Sequence, residues 1–313
     1  MLKHISAAAL LSCLFSLVPG CSPSPTAGLG PAVWSPPQAG EVRALVERGL
    51  RNMARIERMD SMKVYTLPVA DGTWTGRAGT FLRRRTGEQV IESRLSTGCG
   101  DNALAFCRMM RSRGVKALVI DGVEMSIASL WHENSGHVVS AVWDEHDDKW
   151  ILADPSRQKV LAADWLIDSP TFTSGPRRYY VGLRCPPEEY PLEGPPGAKR
   201  FYRRTLDAVP KATWRDYLIG IRFVVDDSMR TEDGGALNPR VPEFVEATAD
   251  ALATRDIEPD RWVSVRIVPA RGTAISHVRH TDKGWTLVAG TGSAMGPSLL
   301  RHVEAVLRKR GVR

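Results

Sequence analysis

The stretch Ser96-Thr97-Gly98-Cys99-Gly100-Asp101-Asn102-Ala103-Leu104-Ala105-Phe106-Cys107-Arg108-Met109-Met110-Arg111-Ser112-Arg113-Gly114 reads as a turn followed by a helix, with Cys99 at the helix start. Ser96, Thr97 and Gly98 are cap-type residues, Arg111 and Arg113 suit a last turn, and Gly114 stops the helix. Cys99, Ala103, Phe106, Cys107 and Met110 recur at helical spacing and share one face, which puts Cys99 where the helix meets the core. Free backbone N–H groups and the positive end of the helix dipole surround a cysteine in that position, a setting that favours a thiolate. Asp101 opposes a second anion so close by. A small apolar cysteine in a helix cap would leave the same trace, so the meaning of Cys99 depends on what the rest of the chain brings to it.

Beyond Gly114 the pattern changes to short strands. Val115 to Ile120 is an apolar, β-branched run ended by Asp121-Gly122, Val123 to Leu130 is a further strand, and Trp131 to Gly136 is a polar loop in which His132 and Glu133 read as surface. Two strands follow, Gly136 to Trp143 and Trp150 to Asp154, joined by a polar loop that contains Asp147-Asp148. His137, Val139, Ala141 and Trp143 share a face on the first, and Trp150, Leu152 and Asp154 share one on the second. If Trp143 opposes Asp148, His137 lies directly across from Asp154; if Trp143 opposes Trp150, the two are diagonal neighbours. Either register keeps them on one face within side-chain reach, whereas a slip of one residue would separate them. A thiol, an imidazole and a carboxylate thus arrive on three elements, the set needed for a nucleophile, its proton shuttle and the group that orients the shuttle.

These residues resemble a known family. Gly98-Cys99 with Ala103 and the Met109-Met110-Arg111 ending, then Gly136-His137, then Trp150 and Asp154-Pro155, are similar in order and spacing to the transglutaminase-like superfamily. The resemblance covers Ser96 to Ser156 and extends loosely over Glu41 to Cys185. It implies an α+β fold with a papain-like, transglutaminase-like core, in which the Cys-bearing helix packs on an antiparallel sheet that carries His and Asp. It also implies Cys99 as nucleophile, His137 as general base and then acid, Asp154 as orienter, and acyl transfer from a peptide or protein amide through a thioester. Cross-linking members commonly have an aromatic residue after the Cys; Gly100 stands here, and no calcium-binding pattern accompanies it, which points to a protease or amidase. A non-catalytic envelope binding module on the same scaffold is the alternative. The Cys99 backbone N–H is one expected oxyanion donor, with Gln89, Arg94 and Ser96 as candidates for a second.

The remaining sequence bounds this reading. The 313 residues, 43% hydrophobic and 25% charged, suit a globular protein of one large or two small domains. The net charge of +7 is spread in short runs such as Arg83-Arg84-Arg85 and Arg177-Arg178, and no nucleic-acid motif accompanies it. At the N-terminus, an apolar run from Ala7 to Val18 leads into Leu17-Val18-Pro19-Gly20-Cys21, which resembles a bacterial lipobox. Residues 1–20 are therefore expected to be a lipoprotein signal peptide, Cys21 the lipidated residue, and residues 21–40 a Pro-rich tether, placing the protein in the cell envelope with a lipid anchor as its membrane contact. Cys99 and Cys107 lie two helical turns apart, about 12 Å of rise against the roughly 7 Å a disulfide tolerates, so they do not pair. Residues 41–190 form the expected transglutaminase-like domain and 198–313 a C-terminal α+β region. That region holds helices near Tyr202–Ala208, Pro242–Ala253 and Pro297–Lys309 and a hairpin over Trp262–Val268, Thr273–His280 and Gly284–Gly290. No cofactor or metal site is expected: His277 and His280 sit three apart on a strand and face opposite ways, and the acidic Asp226 to Gly235 stretch lacks calcium-loop spacing.

Overall fold

The computed structural model describes residues 40–126, 129, 136–225, 245–246, 248–250, 252, 257, 261–268, 275–281, 284–290 and 297–312. Cys21, the tether before Gly40, the loop with His132 and Glu133, and the acidic Asp226 to Gly235 stretch lie outside them.

The fold is mixed α+β around a six-stranded antiparallel sheet. The first helix, α1 (Glu41–Asn52), presents Val42, Val46 and Leu50 inward. It gives way to a 3-10 turn, Met53–Arg55, because Ile56 turns extended and β1 (Glu57–Arg58) pairs in parallel with β4 (Leu95–Ser96). Between them come the hairpin β2 (Val64–Val69) and β3 (Gly72–Arg77) and the short helix α2 (Gly87–Ser93), whose Thr86 and Gln89 form a reciprocal capping box. Helix α3 (Cys99–Arg111) follows, starting and stopping where its caps indicate.

The sheet comprises β5 (Ala117–Glu124), β6 (Gly136–Asp144), β7 (Lys149–Asp154), β8 (Lys159–Trp165), β9 (Thr171–Ser174) and β10 (Arg177–Cys185), in the order β8-β7-β6-β5-β10-β9. Helices α1 and α3 cover one face, where Phe106, Cys107 and Met110 meet Val119, Val138, Val142 and Ile151. The opposite face buries Ile120, Val139, Ala141, Trp150, Leu152, Phe172 and Tyr179 in a second core. Because both faces are buried, the central strands read as unbroken apolar runs with no alternation to mark their ends.

That double burial explains where the sequence reading departs from the structure. Strand β5 does not end at Asp121-Gly122 but runs through them. Gly122 pairs with His137 on one side and Val181 on the other, and a Cβ there would come within 2.7 Å of the Phe172 ring. The glycine serves close packing, and Asp121 is buried against Arg83. Asp164 belongs to β8, and β9 and β10 form a hairpin.

In the C-terminal region, α4 (Gly194–Ala208) and α5 (Lys211–Tyr217) lead into β11 (Gly220–Val225), a strand the sequence reading passed over. Strands β12 (Trp262–Val268), β13 (Ile275–Thr281) and β14 (Gly284–Gly290) complete a four-stranded sheet of order β11-β12-β14-β13. The hairpin is β13–β14 alone, and β12 runs parallel to β14 on its other side. The last helix, α6 (Pro297–Lys309), buries Leu299, Leu300, Val303 and Leu307 in this core, which continues onto Val123 and Met125 at the end of β5. Among the described residues no helix is long and apolar enough to cross a membrane.

Candidate active site

Cys99 occupies the first helical position of α3 and is half-buried. The turn before it depends on Gly98, whose φ of 153° and ψ of −149° L side chains rarely adopt. Ser96 holds that turn, its hydroxyl accepting the Gly98 N–H and donating to the Gly98 carbonyl, both at 3.0 Å. Asp101 does not aim its charge at Cys99. Its Oδ2 accepts the Thr97 N–H at 2.8 Å and lies 3.8 Å from Arg85 Nη1. Burial pushes this carboxyl up to about 6, against the pull of the Thr97 N–H and Arg85. Arg85 is itself fully buried and donates to the Leu95 carbonyl at 2.8 Å, so one guanidinium ties down the approach to the cysteine. Asn102 Nδ2 reaches Ser156 Oγ at 3.1 Å, fixing the helix start to the turn after β7.

Trp143 pairs with Trp150, so β6 and β7 take the register that makes His137 and Asp154 diagonal neighbours. His137 Nε2 and Asp154 Oδ2 are 2.7 Å apart. Cys99 lies beside the same imidazole and acts on its charge. Burial disfavours the charged ring, but its hydrogen bond to Asp154, with Cys99 and the Asp154 carboxylate beside it, outweighs this and pushes His137 up to about 9. Tyr179 packs against the ring with centroids 5.3 Å apart, and Phe172 stacks behind Tyr179.

Asp154 is fully buried. Burial works against its charge, yet hydrogen bonds from His137, from Ser174 Oγ at 2.5 Å and from the Arg157 N–H at 3.1 Å hold it below the usual carboxylate range. Ser174 is the supporting residue that sequence reasoning missed. It sits in the β9–β10 hairpin, 20 residues from its partner.

The three side chains expected as a second oxyanion donor have different surroundings. Gln89 Oε1 accepts the Thr86 N–H in the α2 cap, Arg94 is an exposed left-handed residue ending α2, and Ser96 is spent on the Gly98 turn. The first N–H groups of α3, that of Cys99 among them, have no partner within the helix.

A second buried cluster lies beside the three residues. Arg83 Nη2 meets Asp121 Oδ2 at 2.7 Å, and the Tyr190 hydroxyl donates to the same oxygen at 2.9 Å. The guanidinium sits 4.7 Å from the Tyr190 ring centroid and 5.0 Å from that of Phe201. Burial pushes Asp121 up to about 6 despite Arg83 and the Tyr190 hydrogen bond. Tyr202 on α4 covers Gly136, where a Cβ would collide with its ring, so the residue before His137 has to be small. Nothing in the Arg83-Arg84-Arg85 run marks which arginines are buried; the partners come from β5, the segment after β10, and α4.

His277 and His280 fall on β13, and their side chains lie outside the described residues. Among the described residues no group of three or more His, Cys, Asp or Glu side chains is arranged to hold a metal ion.

Cys107 and Cys185 are free and buried, and burial pushes their thiols up to about 12 and about 11. Iodoacetamide at neutral pH is therefore expected to label Cys99 at least ~10-fold faster than either, because only a reachable thiolate reacts. Peptide mapping of the folded protein checks this, and equal labelling of Cys185 would remove the case for an activated Cys99.

Comparison with protein-family models, with curated proteins and with solved structures finds no match to this chain.

Proposed function

We propose that the protein is a thiol-dependent amide hydrolase or acyltransferase of the transglutaminase-like, papain-like type. Its substrates would be peptide or protein amides of the cell envelope. One observation carries the reading: Cys99, His137 and Asp154 come from a helix start, a strand start and the end of the neighbouring strand, and they meet, with His137 hydrogen-bonded to Asp154 and Cys99 beside the ring. A helix that carries the thiol and packs on an antiparallel sheet that carries the other two residues supports the core type.

In this mechanism Cys99, its proton passed to His137, attacks the amide carbonyl and forms the C–S bond. The Cys99 N–H faces the developing oxyanion. Collapse breaks the C–N bond as His137 gives its proton to the departing amine. Water, or a second amine, then attacks the thioester while His137 takes its proton, and Cys99 is released. Asp154, held by Ser174, keeps the imidazole oriented throughout and stabilises it whenever it carries the proton. The mechanism uses no cofactor. A lipid on Cys21 would hold the enzyme at a membrane surface.

Incubating the protein with peptide amides, with and without an added amine, and reading the mass change tests the reading. A gain of water or of amine supports it, and unchanged peptides across the panel overturn it. The pH dependence is a separate prediction. Protonated His137 is needed to expel the amine, so kcat/KM falls as pH rises through about 9. Asp154→Asn removes a partner that raises the ring, so this limb moves to lower pH, with a rate loss on the order of 10²- to 10⁴-fold. The pairing also contributes stability. The His137 pKa is higher folded than unfolded, so that contribution is complete below ~6.5 and disappears as pH rises through about 9.

A further inference from the structure

A cavity of about 850 Å³ opens between the end of β5, the β9–β10 turn, the segment joining α5 to β11, and the C-terminal end of α6. That is within the roughly 300–1,000 Å³ of small-molecule sites. Its walls are largely apolar, with Met125, Tyr217, Leu218, Ile221 and Leu307 contributing. Its charged groups are three guanidiniums and the carboxylates of Asp216 and Glu304. Two of the guanidiniums are committed: Arg177 pairs with Glu124 at 3.1 Å, and Arg308 donates to the Pro176 carbonyl. Arg178 differs. Its Nε donates to Thr171 Oγ1 at 3.0 Å and its plane lies 3.9 Å from the Tyr217 ring centroid. Among the described residues its Nη groups have no hydrogen-bond partner. Burial pulls this arginine below the usual guanidinium range, with Asp216 acting the other way. A guanidinium with open donors, partly desolvated over an aromatic face, is suited to grip a carboxylate.

The position of the cavity relative to His137 gives the ligand a length. Gly122 on β5 lies opposite His137, and Met125 is three residues further along the chain, about 10 Å at strand spacing. Glu124, which holds Arg177, pairs across the sheet with Tyr179, the ring that packs on His137. His137 is also the group that hands a proton to the departing amine, so the amine side of the substrate lies next to it. An extended chain leaving His137 in this direction reaches the cavity after about three residues.

We propose that this cavity binds the C-terminal end of the substrate's amine-side fragment, an apolar residue with a free α-carboxylate gripped by Arg178, about three residues beyond the scissile amide. The proposal rests on the acyl-transfer reading of Cys99 and His137, and it makes the enzyme one that releases short C-terminal peptides. The test uses the full chain carrying Cys99→Ala, so that binding is read without turnover. Calorimetry compares acetyl-Ala-Ala-Leu as the free acid with the same peptide as its C-terminal amide. The acid is expected to bind at least ~10-fold more tightly, a charge-assisted hydrogen bond's worth of affinity. Arg178→Gln is expected to erase that difference without weakening the amide, and Arg178→Lys to restore part of it. Equal binding of acid and amide, or an Arg178→Gln chain that still prefers the acid, overturns the proposal. Turnover separates the two readings. Acid preference in Cys99→Ala, with no turnover of any peptide by the unsubstituted chain, keeps the cavity and removes the hydrolase. Cleavage of internal amides with no acid preference removes the cavity assignment and keeps the hydrolase.

Discussion

Replacing Cys99 by alanine is expected to lower amide turnover by a factor on the order of 10⁴ or more, the size of loss seen when a covalent nucleophile is deleted. The fold should survive. Cys99 is at the first position of α3 and half-buried, alanine is the best helix former, and the turn before it is held by Ser96 and Gly98 without help from the thiol. Thermal denaturation should therefore differ little between the two proteins while activity differs greatly. A second readout belongs to the mechanism alone. The Cys99 sulfur is one of the partners that push His137 up to about 9, so the ring should titrate at lower pH in the variant, as measured by NMR of the imidazole protons. Activity above about a tenth of the unsubstituted rate, or an unmoved His137 titration, would overturn the assignment.

The largest expected effect on stability comes from Arg83. It is only 5% exposed, and its partner Asp121 is fully buried. Arg83→Met leaves Asp121 with the Tyr190 hydroxyl as its remaining partner, an uncompensated buried charge that typically costs ~3–5 kcal/mol. For a unit of this size that is a drop in Tm on the order of 10 °C. The pH dependence has a definite sign. Asp121 already has a folded pKa of about 6, above that of an unfolded aspartate, so its burial weighs against the fold near neutrality and is relieved as pH falls through about 6. Removing Arg83 deepens this, and the variant should lose less stability at pH 5 than at pH 7. Asp121→Asn added to Arg83→Met should recover much of the loss, since the orphaned charge goes with it. Guanidinium denaturation of the four proteins of this cycle measures the coupling. Additive losses would mean that the two side chains do not act as a pair.

Where local signals agreed, the sequence was a sufficient guide. The α3 helix could be placed because cap residues, a helical apolar period and a terminal glycine all point one way. His137 and Asp154 could be put on one face because strand parity is preserved under either register, and the structure chose the diagonal one. The final helix, α6, was legible from its own amphipathic period. The errors have a shared origin. Asp121-Gly122 looks like a turn to any local rule, but it runs through a strand because Arg83 lies 38 residues away and the Phe172 ring packs on the glycine. The β9–β10 hairpin was hidden because both faces of its sheet are buried, which removes the alternation that marks a strand. β12 was assigned to a hairpin because sequence neighbours usually pair, whereas β12 runs parallel to β14, one strand further along the chain.

Local sequence was enough to place a cysteine at a helix start, and a histidine and an aspartate with matching strand parity. Each depends on contacts within a few residues of its own position. Only the tertiary structure decided what holds and surrounds them: Ser174 on Asp154, Arg85 on the approach to Cys99, Arg83 with Asp121 and Tyr190, and Tyr202 over Gly136. The hydrogen bond from Tyr190 to Asp121 alone spans 69 residues. The physical reason is that a buried polar group has to find its hydrogen bonds somewhere, and nothing in the local pattern of a chain records which distant segment supplies them.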